Sequence, residues 1–229
     1  DWAQAHASLA EACVLGVLYA GAAPEEYLAK AQHAVDRALA LDPALGAAWA
    51  AQGLVHMQYP ERVEAAREAL ERAITLNPSH AMATMWLGSL QTEPSRTLAL
   101  HRRALELDPR SAVAAYNVAT DLLEAGRENE AMEVFEQIVA ADPFYPGAYR
   151  LTAQINERHG RLDEAVLDYR RAWRLDQDAG TAGLIARLLI TLGQNEQARP
   201  WAERARGGAP LQQLGAMWLQ GLLAFTDGD

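Results

Sequence analysis

The residues of this chain that could do chemistry are six histidines, one cysteine and thirty carboxylates among 229 positions. The histidines are His6, His33, His56, His80, His101 and His159. A catalytic or structural metal would want two of them one helical turn apart, or an HExxH pattern. No pair has that spacing, and each falls on a different helical or loop segment, so they read as structural or solvent-facing. Cys13 stands alone, which removes disulfide frameworks and cysteine-based zinc or iron–sulfur sites. There is no GxSxG, no phosphate-binding loop and no GxGxxG. The carboxylates look like helix surfaces and turns. "PERVEAAREALER" (60–72) interleaves Glu with Arg at helical neighbour spacings, which contributes a few tenths of a kcal/mol per pair. Asp42, Asp108 and Asp142 each precede a proline, a turn role. No constellation meets the geometry catalysis needs, so no enzyme, no metal and no cofactor are expected.

Charge and composition exclude more. A net charge of -10 is wrong for a nucleic-acid binder. No run of eighteen apolar residues exists, so no membrane span is expected. The cysteine usage suits the cytoplasm, the expected location, and also fits the periplasm. The chain starts at Asp1 rather than Met, which reads as a piece of a longer protein. It holds 47 alanines and only 15 valines plus isoleucines, a composition that favours helices over strands.

Those helices follow a period. "RALALDP" (37–43) returns as "RAITLNP" (72–78), "RALELDP" (103–109) and "QIVAADP" (137–143). "RAWRLDQ" (171–177) is a fifth copy with Gln in the proline slot, and "RARGGAP" (204–210) a degenerate sixth. The spacings are 35, 31, 34, 34 and 33 residues. Each unit holds two amphipathic helical patterns, such as about Ala112–Glu124 and Glu128–Ala140. Gly126, Gly160 and Gly193 sit where a helix C-cap wants a left-handed residue. The Asp-Pro step closes the second helix. Small residues (Gly53, Gly88, Ala119 and Ala153 against Ala66, Ala131, Ala165 and Ala198) mark where paired helices cross closely.

These positions resemble the tetratricopeptide repeat. Trp49, Gly53, Ala66, Leu70, Ala73 and Pro78 match its pattern in one unit. Ala119, Ala131, Phe135 and Pro143 match it in another, and Ala153, Gly160, Ala165, Tyr169 and Ala172 in a third. The resemblance implies an all-α, right-handed superhelical solenoid of antiparallel helix pairs. Six repeats are expected (1–43, 44–78, 79–109, 110–143, 144–177 and 178–210), then a terminal helix within 211–225, all forming one array. The third repeat is three residues short, and "TEPSR" is expected to compress its turn. The closing "TDGD" reads as an inter-helix turn. The opening resembles repeat regions of bacterial multidomain signalling and regulatory proteins.

In this family the first helix of each repeat lines the inner wall. Positions 2, 5, 9 and 12, with 6 at the edge, form one stripe. They place Met82, Met85 and Trp86, then Tyr116, Asn117 and Thr120, then Arg150 and Gln154 with Arg158 alongside, and then Gly180, Gly183, Leu184 and Arg187. Methionine and aromatics make adaptable contacts, and arginine forks onto carboxylates. The expected function is therefore a protein–protein interaction scaffold holding a peptide in the groove, with an acidic part at the arginines. The competing reading has Met82, Met85 and Trp86 packing internally and the arginines pairing with acids such as Glu124 and Glu157. The family's Lys/Asn/Arg carboxylate clamp is not supported: only Asn117 matches it. Two further hypotheses remain. One is self-association as a homodimer through Leu214, Met217, Trp218 and Leu222 of the terminal helix. The other is a regulatory arm of a larger signalling or transcription protein.

Overall fold

The computed structural model describes the backbone of residues 2–20, 22–207 and 210–227, and their side chains except those of 19, 20, 141, 210–214 and 225–227. Thirteen α-helices and one 3-10 turn make up the regular structure among these residues, with no strand. The chain divides into two compact units, 1–114 and 115–229.

The first unit contains α1 (Trp2–Ala20), α2 (Pro24–Leu41), α3 (Gly46–His56), a 3-10 turn (Pro60–Arg62) leading into α4 (Val63–Leu76), α5 (Ala81–Ser89) and α6 (Pro94–Leu107). Neighbours in sequence pack as pairs: α1 on α2, α3 on α4, α5 on α6. The close crossings have a steric cause. A Cβ on Gly53 would stand 2.6 Å from Leu70 Cγ, and one on Gly88 2.6 Å from His101 Cδ2. Only a bare Cα lets these helices approach so far. His101 is buried as a result, with Nε2 3.4 Å from Ser89 Oγ.

The boundary between the units falls within α7 (Ala112–Glu124). The second unit continues with α8 (Glu128–Ala141), α9 (Pro146–Arg158), α10 (Leu162–Asp176), α11 (Ala179–Thr191), α12 (Asn195–Ala205) and α13 (Pro210–Asp227). Here α9 pairs with α10 and α11 with α12, while α13 lies on both α11 and α12. The core centres on Tyr169, Ile185, Leu188 and Leu189.

The turns obey the sequence. Gly126, Gly160 and Gly193 have φ of 73°, 72° and 70°. Nothing lies within 4 Å of where their Cβ would be, so conformation and not space demands glycine. At the other end of each pair, Asp42, Asn77, Asp108 and Asp142 are extended, as a residue before proline must be. Each also accepts a hydrogen bond from the backbone N–H two residues on, at 2.9, 3.1, 3.3 and 2.9 Å. Where Gln177 replaces proline the pattern changes. Asp176 stays helical, α10 runs one residue further, and Gln177 caps it at φ 53° with its N–H on Trp173 O at 2.8 Å.

Two expectations are corrected. The third repeat loses its residues from the helix and not the turn. Nine-residue α5 is followed by an ordinary four-residue connection, and Pro94 opens α6. Thr226 and Asp227 belong to α13, so the closing segment is not a turn at those two positions.

Candidate interaction surface

The expected groove residues of the first unit are mostly core. Met85 and Trp86 are 5% and 6% exposed, and Met82 packs against the same cluster. The reason is positional: α5 touches α3, α4 and α6, so almost its whole circumference from Ala83 to Gly88 is buried. Trp86 and Met85 thus stabilise the unit from inside, and offer no open aromatic surface.

In the second unit Tyr116, Asn117 and Thr120 are half-buried on α7. Tyr116 meets Tyr145 edge-on, with ring centroids 6.1 Å apart. Thr120 Oγ1 donates to its own helix at Tyr116 O, 2.9 Å away. Gln154 is half-buried on α9.

The three arginines each find an internal partner. Arg150 donates through Nε to Thr181 Oγ1 at 2.8 Å and pairs with Asp176, with Asp178 at 3.9 Å. Asp178 in turn caps α11, accepting from Thr181 N at 2.6 Å. Arg158 donates to the Leu123 carbonyl. Arg187 donates to Glu157 Oε2 at 2.5 Å, while Tyr169 O–H donates to Glu157 Oε1 at 2.8 Å. Burial, seconded by the Glu157 carboxylate, pushes the Tyr169 hydroxyl pKa well above its ordinary value. The arginines therefore tie α7, α9 and α11, the first helices of successive repeats, together. Their partners lie 26 to 35 positions away, about one repeat.

Open space appears at the far end of the stripe. A cavity of about 250 Å³ lies between α11 and α13. Gly180, Gly183, Leu184 and Arg187 form one wall, all members of the stripe, and Ala216, Trp218 and Leu219 the other. Among the described residues of its lining, Arg187 contributes the one charged group. Beside it Met217 and Trp218 are 64% and 61% exposed, whereas Leu222 is half-buried. The side chain of Leu214 lies outside the described residues. No cluster of three metal-ligating side chains occurs among the described residues. No helix among them is long and apolar enough to cross a membrane.

Comparison with known proteins gives the same frame. A profile described as tetratricopeptide repeat matches residues 59–93, 98–146 and 116–180, together just over half of the chain. The chain belongs to the tetratricopeptide-repeat family. Arrays of this family are in general protein-interaction scaffolds without catalytic centres. Among curated relatives it is similar to a tetratricopeptide repeat and J domain-containing co-chaperone, DNJ1. The version from Cryptococcus neoformans var. grubii is 30% identical over 119 residues, 51% of this chain and 22% of that protein. The version from Fusarium oxysporum f. sp. lycopersici is 25% identical over 134 residues, 55% of this chain and 26% of that one. The chain thus spans about a quarter of the length of these relatives. The crystal structure of PilW, a type IV pilus biogenesis factor, is similar in fold, with a TM-score of 0.68 and 19% identity. That match covers 93% of this chain and 97% of PilW, and is a likeness of fold alone.

Sequence reasoning missed the cavity. The available signal was Gly183 inside α11, where glycine costs about 1 kcal/mol relative to alanine, with Gly180 in the first turn of the same helix.

Proposed function

We propose that this protein is an interaction scaffold whose second unit receives an apolar side chain of a partner segment in the cavity between α11 and α13. The single observation behind this reading is that cavity, lined by stripe residues Gly180, Gly183, Leu184 and Arg187. Glycines leave the wall open, Trp218 and Met217 extend the apolar surface outward, and Arg187 stands at the edge. An acidic neighbour on the partner would meet Arg187, whose side chain is 42% exposed despite its bond to Glu157. In this reading Arg150 braces α9 against α10 and α11, and Arg158 braces α9 against α7. As part of a longer protein, the repeats would serve as the arm that brings a partner to it.

The test is a peptide selection on the wild-type protein followed by titration of a filled cavity. A Cβ on Gly183 would have Ala205 Cβ at 3.7 Å and Leu219 Cδ1 at 4.0 Å as nearest neighbours, so Gly183→Leu grows into space and not into backbone. Selected peptides should lose about ten-fold or more in affinity for it, the range of a lost hot-spot contact. Unchanged affinity would place binding elsewhere.

The second reading is self-association through the same exposed Met217 and Trp218. Sedimentation over a concentration series should then show a dimer that Trp218→Glu dissolves. A monomer at all concentrations rejects it.

A further inference from the structure

The six signature copies allow the chain to be compared with itself. After the Asp or Asn that closes each pair, the loop residue following proline is Ala44, Ser79, Arg110 and then Phe144. Three repeats fold with a small or polar residue there, so the fold does not require an aromatic. Phe144 is nevertheless 76% exposed. Its backbone N–H makes the same 2.9 Å bond to Asp142 that Ala44 makes to Asp42, so the loop itself is ordinary. The fourth position of the signature tells the same story: Ala40, Thr75, Glu106 and Ala140 are followed by Arg174. Arg174 is exposed and makes no hydrogen bond or ion pair with a described residue. Its place in the last turn of α10 suits a cation, yet α2, α4, α6 and α8 end without one, and Arg204 in the last turn of α12 is bonded to the Pro200 carbonyl.

These two departures, thirty positions apart, meet. Phe144 and Arg174 line one open cleft of about 470 Å³ with Pro143, Tyr149, Arg171 and Leu175. Its rigid side is well made: Tyr149 O–H donates to the Pro143 carbonyl at 3.1 Å, fixing the ring against the loop. The lining carries two guanidinium groups and no carboxylate, in a chain of net charge -10. Arg171 is held by Asp168 at 3.0 Å, leaving Arg174 as the unneutralised charge beside two aromatic rings and Leu175. None of the six belongs to the groove stripe.

We propose that this cleft is a second docking site, taking a partner-protein peptide in which an acidic residue neighbours an aliphatic or aromatic one. The acid pairs with Arg174 and the apolar side chain lies on Phe144 and Leu175. Charge complementarity selects this occupant over a basic one, and the apolar walls select it over a free anion. The site is separate from the cavity between α11 and α13 and stands or falls without it.

The probe is a panel of short fluorescein-labelled peptides, each with one Asp or Glu beside Leu, Phe or Trp. Matched controls carry Asn or Gln for the acid, Lys for the acid, or Ser for the apolar residue. Fluorescence polarisation should show binding of panel members that falls about ten-fold with Arg174→Glu and with Phe144→Ser, and weakens as salt rises. Both positions are exposed, and Ser79 shows that serine suits the loop, so melting temperatures should stay near wild type. Gly183→Leu should leave this binding unchanged. The proposal is overturned if no panel member binds or if the neutral or lysine controls bind as well. It is equally overturned if Arg174→Glu and Phe144→Ser have no effect while Gly183→Leu does.

Discussion

Restoring the missing proline at position 177 should destabilise the protein, although four earlier repeats carry proline at that place. By repeat consensus the substitution looks favourable, since proline lowers the entropy of the unfolded chain by an amount equal to about 0.4–1 kcal/mol. The local geometry says otherwise. Gln177 has φ 53°, which a pyrrolidine ring fixed near -65° does not reach. Its N–H caps α10 on Trp173 O at 2.8 Å, a bond worth about 1 kcal/mol that proline deletes. Proline also drives the preceding residue out of the α region, and that residue is Asp176, now helical and paired with Arg150. A proline against a helical ladder costs about 3 kcal/mol, so after the entropic gain Gln177→Pro should lose about 2–3 kcal/mol. For a chain of this length that is a fall of about 4–12 °C in melting temperature by far-UV circular dichroism. Gln177→Gly, which accepts a positive φ without strain, should melt at or above wild type. A Gln177→Pro protein as stable as wild type would refute this account of the fifth loop.

Two further outcomes follow from the packing. Gly53→Ala and Gly183→Ala gain the same helix propensity, so their difference isolates sterics. With Leu70 Cγ 2.6 Å from the new Cβ in one case and nothing nearer than 3.7 Å in the other, Gly53→Ala should be less stable by about 1–3 kcal/mol in urea titrations. Equal stabilities would mean that the α3–α4 crossing relaxes freely. Tyr169, whose pKa is raised by burial, keeps its full contribution below the ordinary value of 10.0 and loses it as pH rises beyond. Melting temperature should therefore fall on alkaline titration, and fall less steeply in Tyr169→Phe. Parallel profiles would separate Tyr169 from the alkaline transition.

What the sequence disclosed and what it hid divide by the range of the interaction. Gly126, Gly160 and Gly193 were legible because a left-handed cap is decided within a few residues. The Asp-Pro closures were legible for the same reason. The burial of Trp86 was legible only as a competing reading, because it depends on how many helices surround α5, and a stripe drawn on one helix cannot count them. So were the bonds of Arg150, Arg158 and Arg187: pairing with acids, Glu157 among them, was the alternative, but partners about one repeat away, backbone in the case of Arg158, could not be assigned. Position on the stripe showed where these side chains start, and only the neighbouring repeat determines where they end. The cavity between α11 and α13 was missed although a signal existed: Gly180 and Gly183 on α11 mark missing volume, but not whether a neighbour fills it. Gly53 and Gly183 carry the same residue type with opposite outcomes, one occupied by Leu70 and the other open.

A repeat chain supplies its own controls, and that changes how an unusual residue should be weighed. Gln177 departs from its equivalents and the backbone answers at once, with a longer helix and a positive φ, although Asp176 still accepts from the N–H two residues on at 3.1 Å. Such a departure is compensated where it stands and says little about partners. Phe144 departs from its equivalents and the backbone does not answer, since its loop keeps the Asx bond of the other repeats, while Arg174, one turn before the altered end of α10, makes no bond with a described residue. An exposed aromatic ring costs solubility, and the Arg174 guanidinium gains only the weak attraction of the α10 C-terminus, so the fold's own energetics account for little of either. Two such residues converging on one cleft, from segments thirty positions apart, point outward to a ligand in a way that the conserved-looking repeat positions do not.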